Sequence, residues 1–276
     1  MQPSYSKNRV VENINLQDNI YKLTVSNNGS GNNVAFSDVK PGQFYNLRAW
    51  DREPLLSRPI SIYDATDTTI SFLYEIRGVG TKLIAKLEKD DEIELLGPLG
   101  NSFELDKIKG RVAMVAGGIG IAPFLYTVKS LAAAGSKATE TSGSGAEKCS
   151  GERDGLHIDL YAGFREKSYA VEEFKDYVDN IYIATDFGTE GHKGFVTELI
   201  DVEKYDLVLS CGPEIMMGKV VNMCKAKDVE VLISMESHMA CGVGACLVCA
   251  CKTVDGMKRS CKDGPIFNGR DVMINE

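Results

Sequence analysis

Basic residues are few and nowhere gathered: Lys and Arg number 31 against 39 Asp and Glu, a formal net charge of −8. With no basic stripe to neutralise phosphates, neither nucleic acid nor an anionic membrane surface is expected as a partner. Long apolar runs are missing too. The longest uncharged stretch, Val112 to Val128, is 17 residues, short of the roughly 20 that span a bilayer, and three glycines and a proline interrupt it. The N-terminal MQPSYSKNRV lacks the apolar core of a secretory signal. A cytoplasmic location is therefore expected, with the eight cysteines reduced or ligated. Histidine is scarce, and His157, His192 and His238 do not supply the two ring ligands that a Rieske centre needs. What the chain does have is 276 residues at 43% apolar composition, enough for two ordinary domains and a small appendage.

The cysteines are unevenly placed. Cys241, Cys246 and Cys249 stand in C-x4-C-x2-C spacing with Cys261 downstream, the plant-type pattern for a [2Fe–2S] cluster and single-electron transfer. Two irons bridged by sulfide need four thiolates converging on a small volume, and Gly242 and Gly244 free the backbone to wrap around them. Two other readings compete. Zinc more often pairs two C-x2-C knuckles, and a disulfide framework would need an oxidising compartment. Cys251 lies inside the interval before Cys261, which leaves open whether it replaces a neighbour as ligand.

Three segments follow along the chain. From Arg9 to about Leu96, short runs alternate with period two, clearest where Ile70, Phe72, Tyr74 and Ile76 interleave with Thr69, Ser71, Leu73 and Glu75. Further strands are expected at 21–25, 44–48, 59–63 and 92–96, with a helical stretch at 81–87, which together suit a small antiparallel barrel over residues 1–107. Past Gly110, apolar strand cores at 112–116, 158–162, 181–185, 207–210 and 231–234 alternate with helical segments, predicting a parallel α/β domain over 108–233. Its stretch from about 134 to 155 carries Thr-Glu-Thr-Ser-Gly-Ser-Gly, a composition without core formers, and reads as a mobile surface insertion. Residues 234–276 then form a small domain held largely by its cluster.

Cofactor constellations fall at the ends of these strands. Arg58-Pro59-Ile60-Ser61 starts a barrel strand with an arginine able to fork onto a phosphate and a serine hydroxyl three residues on. The Gly78-Val79-Gly80-Thr81 turn opens a helix and offers amides to an anion. Gly117-Gly118-Ile119-Gly120 joins the first parallel strand to its helix, and Thr185-Asp186 and Cys211-Gly212 sit at two other strand ends, where open α/β sheets bind ligands. An ordinary strand-to-helix turn, a capping Pro213, and a small buried residue at Cys211 or Cys224 are the plainer readings of the same letters.

In chain order RPIS (58–61), GPLGNSF (97–103), GGIGIAPF (117–124), TDFGTEGHKG (185–194), CGVGAC with Cys249, and CKDGPIF (261–267) resemble the ferredoxin–NADP reductase superfamily. More narrowly, they resemble the electron-transfer subunits of type B dihydroorotate dehydrogenases. The resemblance covers nearly the whole chain. It implies a six-stranded antiparallel flavin-binding barrel, a parallel α/β nucleotide-binding domain and a small C-terminal [2Fe–2S] domain. It places FAD against Arg58, Pro59, Ile60, Ser61, Leu73, Tyr74, Glu75, Gly80 and Thr81. It gives Cys241, Cys246, Cys249 and Cys261 to the cluster. NAD+/NADH would be bordered by Gly117, Gly118, Gly120, Cys211 and Gly212, with Asp186 a candidate for the ribose. No side chain need act as acid or base, because the cofactors carry the chemistry. The implied partner is an FMN-containing catalytic chain in a two-plus-two heterotetramer, with electrons passing from dihydroorotate to NAD+ during pyrimidine synthesis. Glu75 departs from the family, which often carries a basic residue there. Two alternatives stay open: an NADH:acceptor reductase subunit serving ferredoxin, NADP or polysulfide, and a zinc-stabilised, non-catalytic interaction module.

Overall fold

The computed structural model describes residues 3–26, 36–139 and 155–274. Six antiparallel strands close a barrel: β1 (Ser4–Gln17), β2 (Ile20–Ser26), β3 (Phe44–Arg48), β4 (Arg58–Ala65), β5 (Thr69–Glu75) and β6 (Glu92–Leu99), in the order β1-β2-β5-β4-β3-β6. Alternation builds the wall as expected, with Ile70, Phe72 and Tyr74 of β5 turned inward and buried. The first strand was not legible. Its burial alternates from Ser4 to Val11, but the inward positions there include the polar Ser4, Ser6 and Asn8, and register shifts between Val10 and Glu12 and between Asn15 and Gln17 break the pattern beyond, so no apolar period of two marks it. Helix α1 (Val79–Ile84) begins and ends earlier than the expected 81–87. Gly78 takes the N-cap position, the Thr81 hydroxyl accepts the Arg77 and Gly78 N–H groups at 3.0 and 3.2 Å, and tight turns carry the chain from Ala85 to Leu87.

The second layer system is a sheet with its helices. Parallel strands β7 (Arg111–Gly117), β8 (His157–Phe164), β9 (Asn180–Thr185), β10 (His192–Lys193), β11 (Leu207–Cys211) and β12 (Glu230–Ser234) alternate with helices α2 (Ala122–Thr139) and α3 (Glu214–Ala226). After the sheet come a hairpin, β13 (Ala250–Thr253) with β14 (Gly256–Arg259), and a short strand, β15 (Ile266–Asn268), that completes the order β10-β9-β8-β7-β11-β12-β15. The central strands are continuous apolar runs because both faces are covered: Val112, Val115, Ile158, Leu160, Val208, Leu209, Val231 and Ile233 are all fully buried. Each such side chain contributes about 1.5–3 kcal/mol. The expected insertion begins within α2, and its remainder, 140–154, lies outside the described residues.

The chain divides into two compact units, Met1–Phe103 with Met235–Ile266, and Glu104–Ser234 with Phe267–Glu276. The cysteine segment therefore packs as part of the barrel unit. No described helix is long and apolar enough to cross a membrane.

Candidate redox-cofactor sites

Residues 241–249 form a loop of turns shaped by two left-handed glycines, Gly242 at φ +71 and Gly244 at φ +79. This geometry aims amides inward. Gly244 N–H donates to Cys261 Sγ at 3.1 Å, and the N–H groups of Ala245 and Cys246 donate to Cys241 Sγ at 3.3 and 3.4 Å. The thiols lie beside one another in two pairs, Cys241 with Cys246 and Cys249 with Cys261. Burial pushes the Cys241 thiol up, but amide donors from Cys246, Val243 and Ala245, with the Cys246 side chain, outweigh it and bring it down to about 6. Cys261 goes the other way: burial and its neighbour Cys249 push it up to about 12 against the Gly244 N–H.

Among the described residues, no three His, Cys, Asp or Glu side chains are arranged around a single-ion position. Two thiol pairs under a canopy of N–H donors fit a two-iron group, which takes two thiolates on each iron and favours amide donors to sulfur. Cys251 belongs to neither pair; it lies on β13 with its thiol near the Ser260 side chain. Cys249 and Cys261 are buried in a small apolar cluster with Phe44 and Leu99 of the barrel, and Met239 packs against it. The other flank is open: Cys246 is exposed beside Val243, Leu247 and Val248, whose side chains also face solvent.

Two further ties fix the loop. Asn101, just past β6, bonds four times to 263–266: its N–H to Gly264 O at 2.6 Å, its Nδ2 to Asp263 O and Ile266 O at 3.2 and 2.8 Å, and its Oδ1 from Ile266 N–H at 2.9 Å. Two motifs far apart in sequence, GPLGNSF and CKDGPIF, are thus one clamp. Arg259 holds the Asp263 carboxylate with both branches, at 3.0 and 3.1 Å, and reaches Gly244 O at 3.3 Å.

On the barrel, Arg58 opens β4, and β3 runs opposite with Phe44 facing Ser61 and Asn46 facing Pro59. The Arg58 guanidinium lies 5.5 Å from the Trp50 ring centre, and its Nη1 donates to Leu56 O at 2.5 Å. Gly80 completes this corner. A Cβ there would come 2.6 Å from Arg58 Nε and 2.8 Å from the Trp50 ring, so only glycine lets the turn approach. Other members of the expected flavin set have structural work. Leu73 and Tyr74 bury their side chains, the Tyr74 hydroxyl donating to Asn13 at 3.0 Å, and the Thr81 hydroxyl is spent within its own turn. Glu75 pairs with Arg77 at 2.8 Å. Arg58, Ser61, Arg77 and the 79–80 amides are the candidates left for a phosphate or a flavin ring, the Gly78 N–H being spent on Thr81.

In the nucleotide unit the chain order reverses between β7 and β11, the switch point where open α/β sheets bind ligands. Gly117 and Gly212 meet there: a Cβ on Gly212 would come 2.8 Å from Gly117 N, and one on Gly120 would come 2.3 Å from Cys211 O. These glycines are required by backbone-on-backbone packing, and the same bareness leaves amides open to a dinucleotide. Gly118, at φ +55, has no such neighbour, and Cys211 is buried. Asp186, at the end of β9, is exposed and stands two strands away from β7.

Residues 236–273 match the family described as iron-sulfur cluster binding domain of dihydroorotate dehydrogenase B. A protein of Clostridium acetobutylicum named dihydroorotate dehydrogenase B (NAD(+)), electron transfer subunit, is 48% identical over 276 residues, covering 100% of both chains. One of the same name from Clostridium perfringens is 46% identical over 272 residues, with 99% of each covered. This chain belongs to that electron-transfer-subunit family.

Among solved structures, an NADH-dependent reduced ferredoxin-NADP oxidoreductase is similar over 97% of this chain and 90% of its own, at 26% identity and TM-score 0.76. The flavohem-like FAD/NAD binding domain of a Vibrio cholerae nitric oxide dioxygenase shares the fold, covering 83% of this chain and 97% of its own at 16% identity and TM-score 0.64. The family's iron–sulfur domain spans all four thiols, the Arg259–Asp263 pair and the residues that Asn101 grips. Sequence reasoning missed Asn46, Trp50, Asn101 and Arg259. Asn101 lay inside a recognisable motif, yet nothing local announced a partner more than 160 residues away.

Proposed function

We propose that this chain is the electron-transfer subunit of a NAD+-dependent dihydroorotate dehydrogenase, an iron–sulfur flavoprotein oxidoreductase. The observation that supports it most is the common face of β3 and β4: Phe44 packs on Cys249 and Cys261, while Ser61 of RPIS stands directly opposite Phe44. Thiol site and flavin motif are adjacent on one wall. When bound, the [2Fe–2S] cluster exchanges single electrons and FAD interconverts them with the hydride carried by NAD+/NADH.

The chain's own residues bind and orient. Cys241, Cys246, Cys249 and Cys261 hold the cluster, with Gly244, Ala245 and Cys246 amides directed at the sulfurs. Arg58 and the 79–80 amides take the FAD pyrophosphate; Pro59, Ile60, Ser61 and the Leu73, Tyr74, Glu75 strand frame the ring, and Thr81 holds the turn. Gly117, Gly118 and Gly120 with Cys211 and Gly212 border the nicotinamide nucleotide, and Asp186 reads its ribose. No residue here moves a proton in the reaction.

Electrons enter from an FMN-bearing catalytic chain that oxidises dihydroorotate to orotate, in a cytoplasmic two-plus-two assembly. The exposed apolar flank at Val243, Leu247 and Val248 is where that chain docks, since it lies beside the least buried cysteine. An anaerobic visible spectrum of the reconstituted pair tests this. Dihydroorotate should bleach flavin and cluster absorbance, and NAD+ should restore it. The ferredoxin-NADP oxidoreductase neighbour favours a second reading, an NADH:acceptor reductase subunit. Bleaching by NADH but never by dihydroorotate would select it.

A further inference from the structure

Asn46 lies in the middle of β3, only 3% exposed, and its Oδ1 has no hydrogen-bond partner. A buried amide oxygen left unpaired is costly, and a barrel strand would more cheaply carry an apolar residue there. Strand alternation puts Asn46 on the same face as Phe44, and that face carries the cysteine loop. Gly242, the residue after Cys241, comes so near that a Cβ on it would lie 2.4 Å from Asn46 Nδ2. Across the ladder stands Pro59 of the flavin motif, one strand spacing of about 4.8 Å away. An amide with its oxygen unpaired is therefore held between the turn bearing the first cluster cysteine and the strand bearing the flavin motif.

We propose that Asn46 is a positioning residue for electron transfer, whose side-chain amide completes its hydrogen bonding on the sulfur side of the Cys241–Gly242 turn when the cluster is bound and thereby sets the cluster's reduction potential. The proposal rests on the assignment of the four cysteines to a [2Fe–2S] cluster. An amide's oxygen and nitrogen exchange places by a half-turn, so the site of the unpaired oxygen can equally hold an NH2 donor. A donor near cluster sulfur stabilises the more negative, reduced form and raises the potential; its removal lowers it. Leucine would fill the space without the dipole, and aspartate would keep the shape while replacing the donor by a carboxylate.

The test is a potentiometric titration of the full-length chain carrying FAD and cluster, at mildly alkaline pH, with the reduced cluster followed by electron paramagnetic resonance. Asn46→Leu should shift electron partition between cluster and flavin tenfold toward the flavin, about 59 mV for one electron. Asn46→Asp should shift it at least as far, with the flavin potential unmoved in both. If Asn46→Leu fails to load, Asn46→Asp alone decides. A midpoint and resonance signature in Asn46→Asp unchanged from wild type, at full iron content, overturns the proposal. A wild-type chain without any cluster signal sinks instead the cluster assignment on which it rests.

Discussion

The parallel sheet and the cysteine loop are stabilised by different means. In the sheet, whole strands disappear from solvent, and Val112 to Val115, Ile158, Leu160, Val208, Leu209, Val231 and Ile233 hold it together by burial. The loop buries Cys249 and Cys261 against Phe44 and Leu99 and otherwise depends on directed bonds: amides to sulfur, Asn101 to 263–266, and Arg259 to Asp263 and Gly244. Burial is spread over many side chains, and a core tolerates swaps that keep its volume. A loop of few directed bonds around an ion-binding centre gains much of its folding energy from what it binds. The nucleotide sheet should therefore outlast the cysteine loop whenever the cluster or one of its ties is removed.

The strongest way to break this contrast is Cys246→Ser. Cys246 is exposed, so the change costs little packing, yet it removes one of four thiolates. Coupled transfer from the catalytic chain to NAD+ should fall by more than about 100-fold, beyond the usual effect of losing an outer-shell partner. FAD content and direct NADH oxidation by an artificial acceptor should persist. Wild-type rates of dihydroorotate-dependent NAD+ reduction in this variant would remove the cysteine loop from the electron path.

Next in size is Asn101→Ala, which deletes the three side-chain bonds of the clamp. At about 1 kcal/mol each, the loop should lose about 2–4 kcal/mol. In a denaturant series, cluster colour should vanish at a lower concentration than in wild type, while the far-ultraviolet signal of the sheet keeps its midpoint. If both transitions move together, the two regions unfold as one and the contrast fails.

What could be read in the sequence divides along the same line. The cysteine loop and the glycine turns were legible as bends in the chain because their glycines stand at short, fixed intervals. Strands such as 69–75 were legible because one face alternates into a core. β1 was not, since polar Ser4, Ser6 and Asn8 take its inward positions and two register shifts disturb its second half; nor was β15, three residues long and added to a sheet whose other strands precede it. Asn46, Asn101 and Arg259 were invisible for another reason. Each is an ordinary polar residue locally and gains its role from neighbours that folding brings in from far along the chain. Cys251 stays a candidate ligand on spacing, and the fold sets it on β13 near Ser260.

Arg58→Ala sharpens the contrast within the barrel unit itself. Arg58 contributes a charge-assisted contact to any phosphate it meets, about 1.5–3 kcal/mol, so FAD affinity should drop by about 10- to 100-fold while the cluster stays loaded. The chain carries a single tryptophan, Trp50, whose ring lies 5.5 Å from that guanidinium. Its fluorescence should be quenched by FAD in the wild type and should report the weakened binding directly. Loss of cluster iron alongside FAD would mean that the two sites on this wall are not separable.

The smallest expected effect tests the sheet. Gly120→Ala puts a Cβ 2.3 Å from Cys211 O and 2.7 Å from the Gly212 Cα, where only backbone can yield. The strands themselves are untouched, so the cost should be that of local overpacking, about 1–3 kcal/mol. Displacement of the Gly212 turn should widen the crevice between β7 and β11 and raise the KM for NADH. Cluster and FAD content should match wild type, and so should the rate at which dihydroorotate reduces the flavin in the reconstituted complex. A changed flavin reduction rate with an unchanged KM for NADH would mean that the β7–β11 glycines serve packing alone and that the nucleotide binds elsewhere.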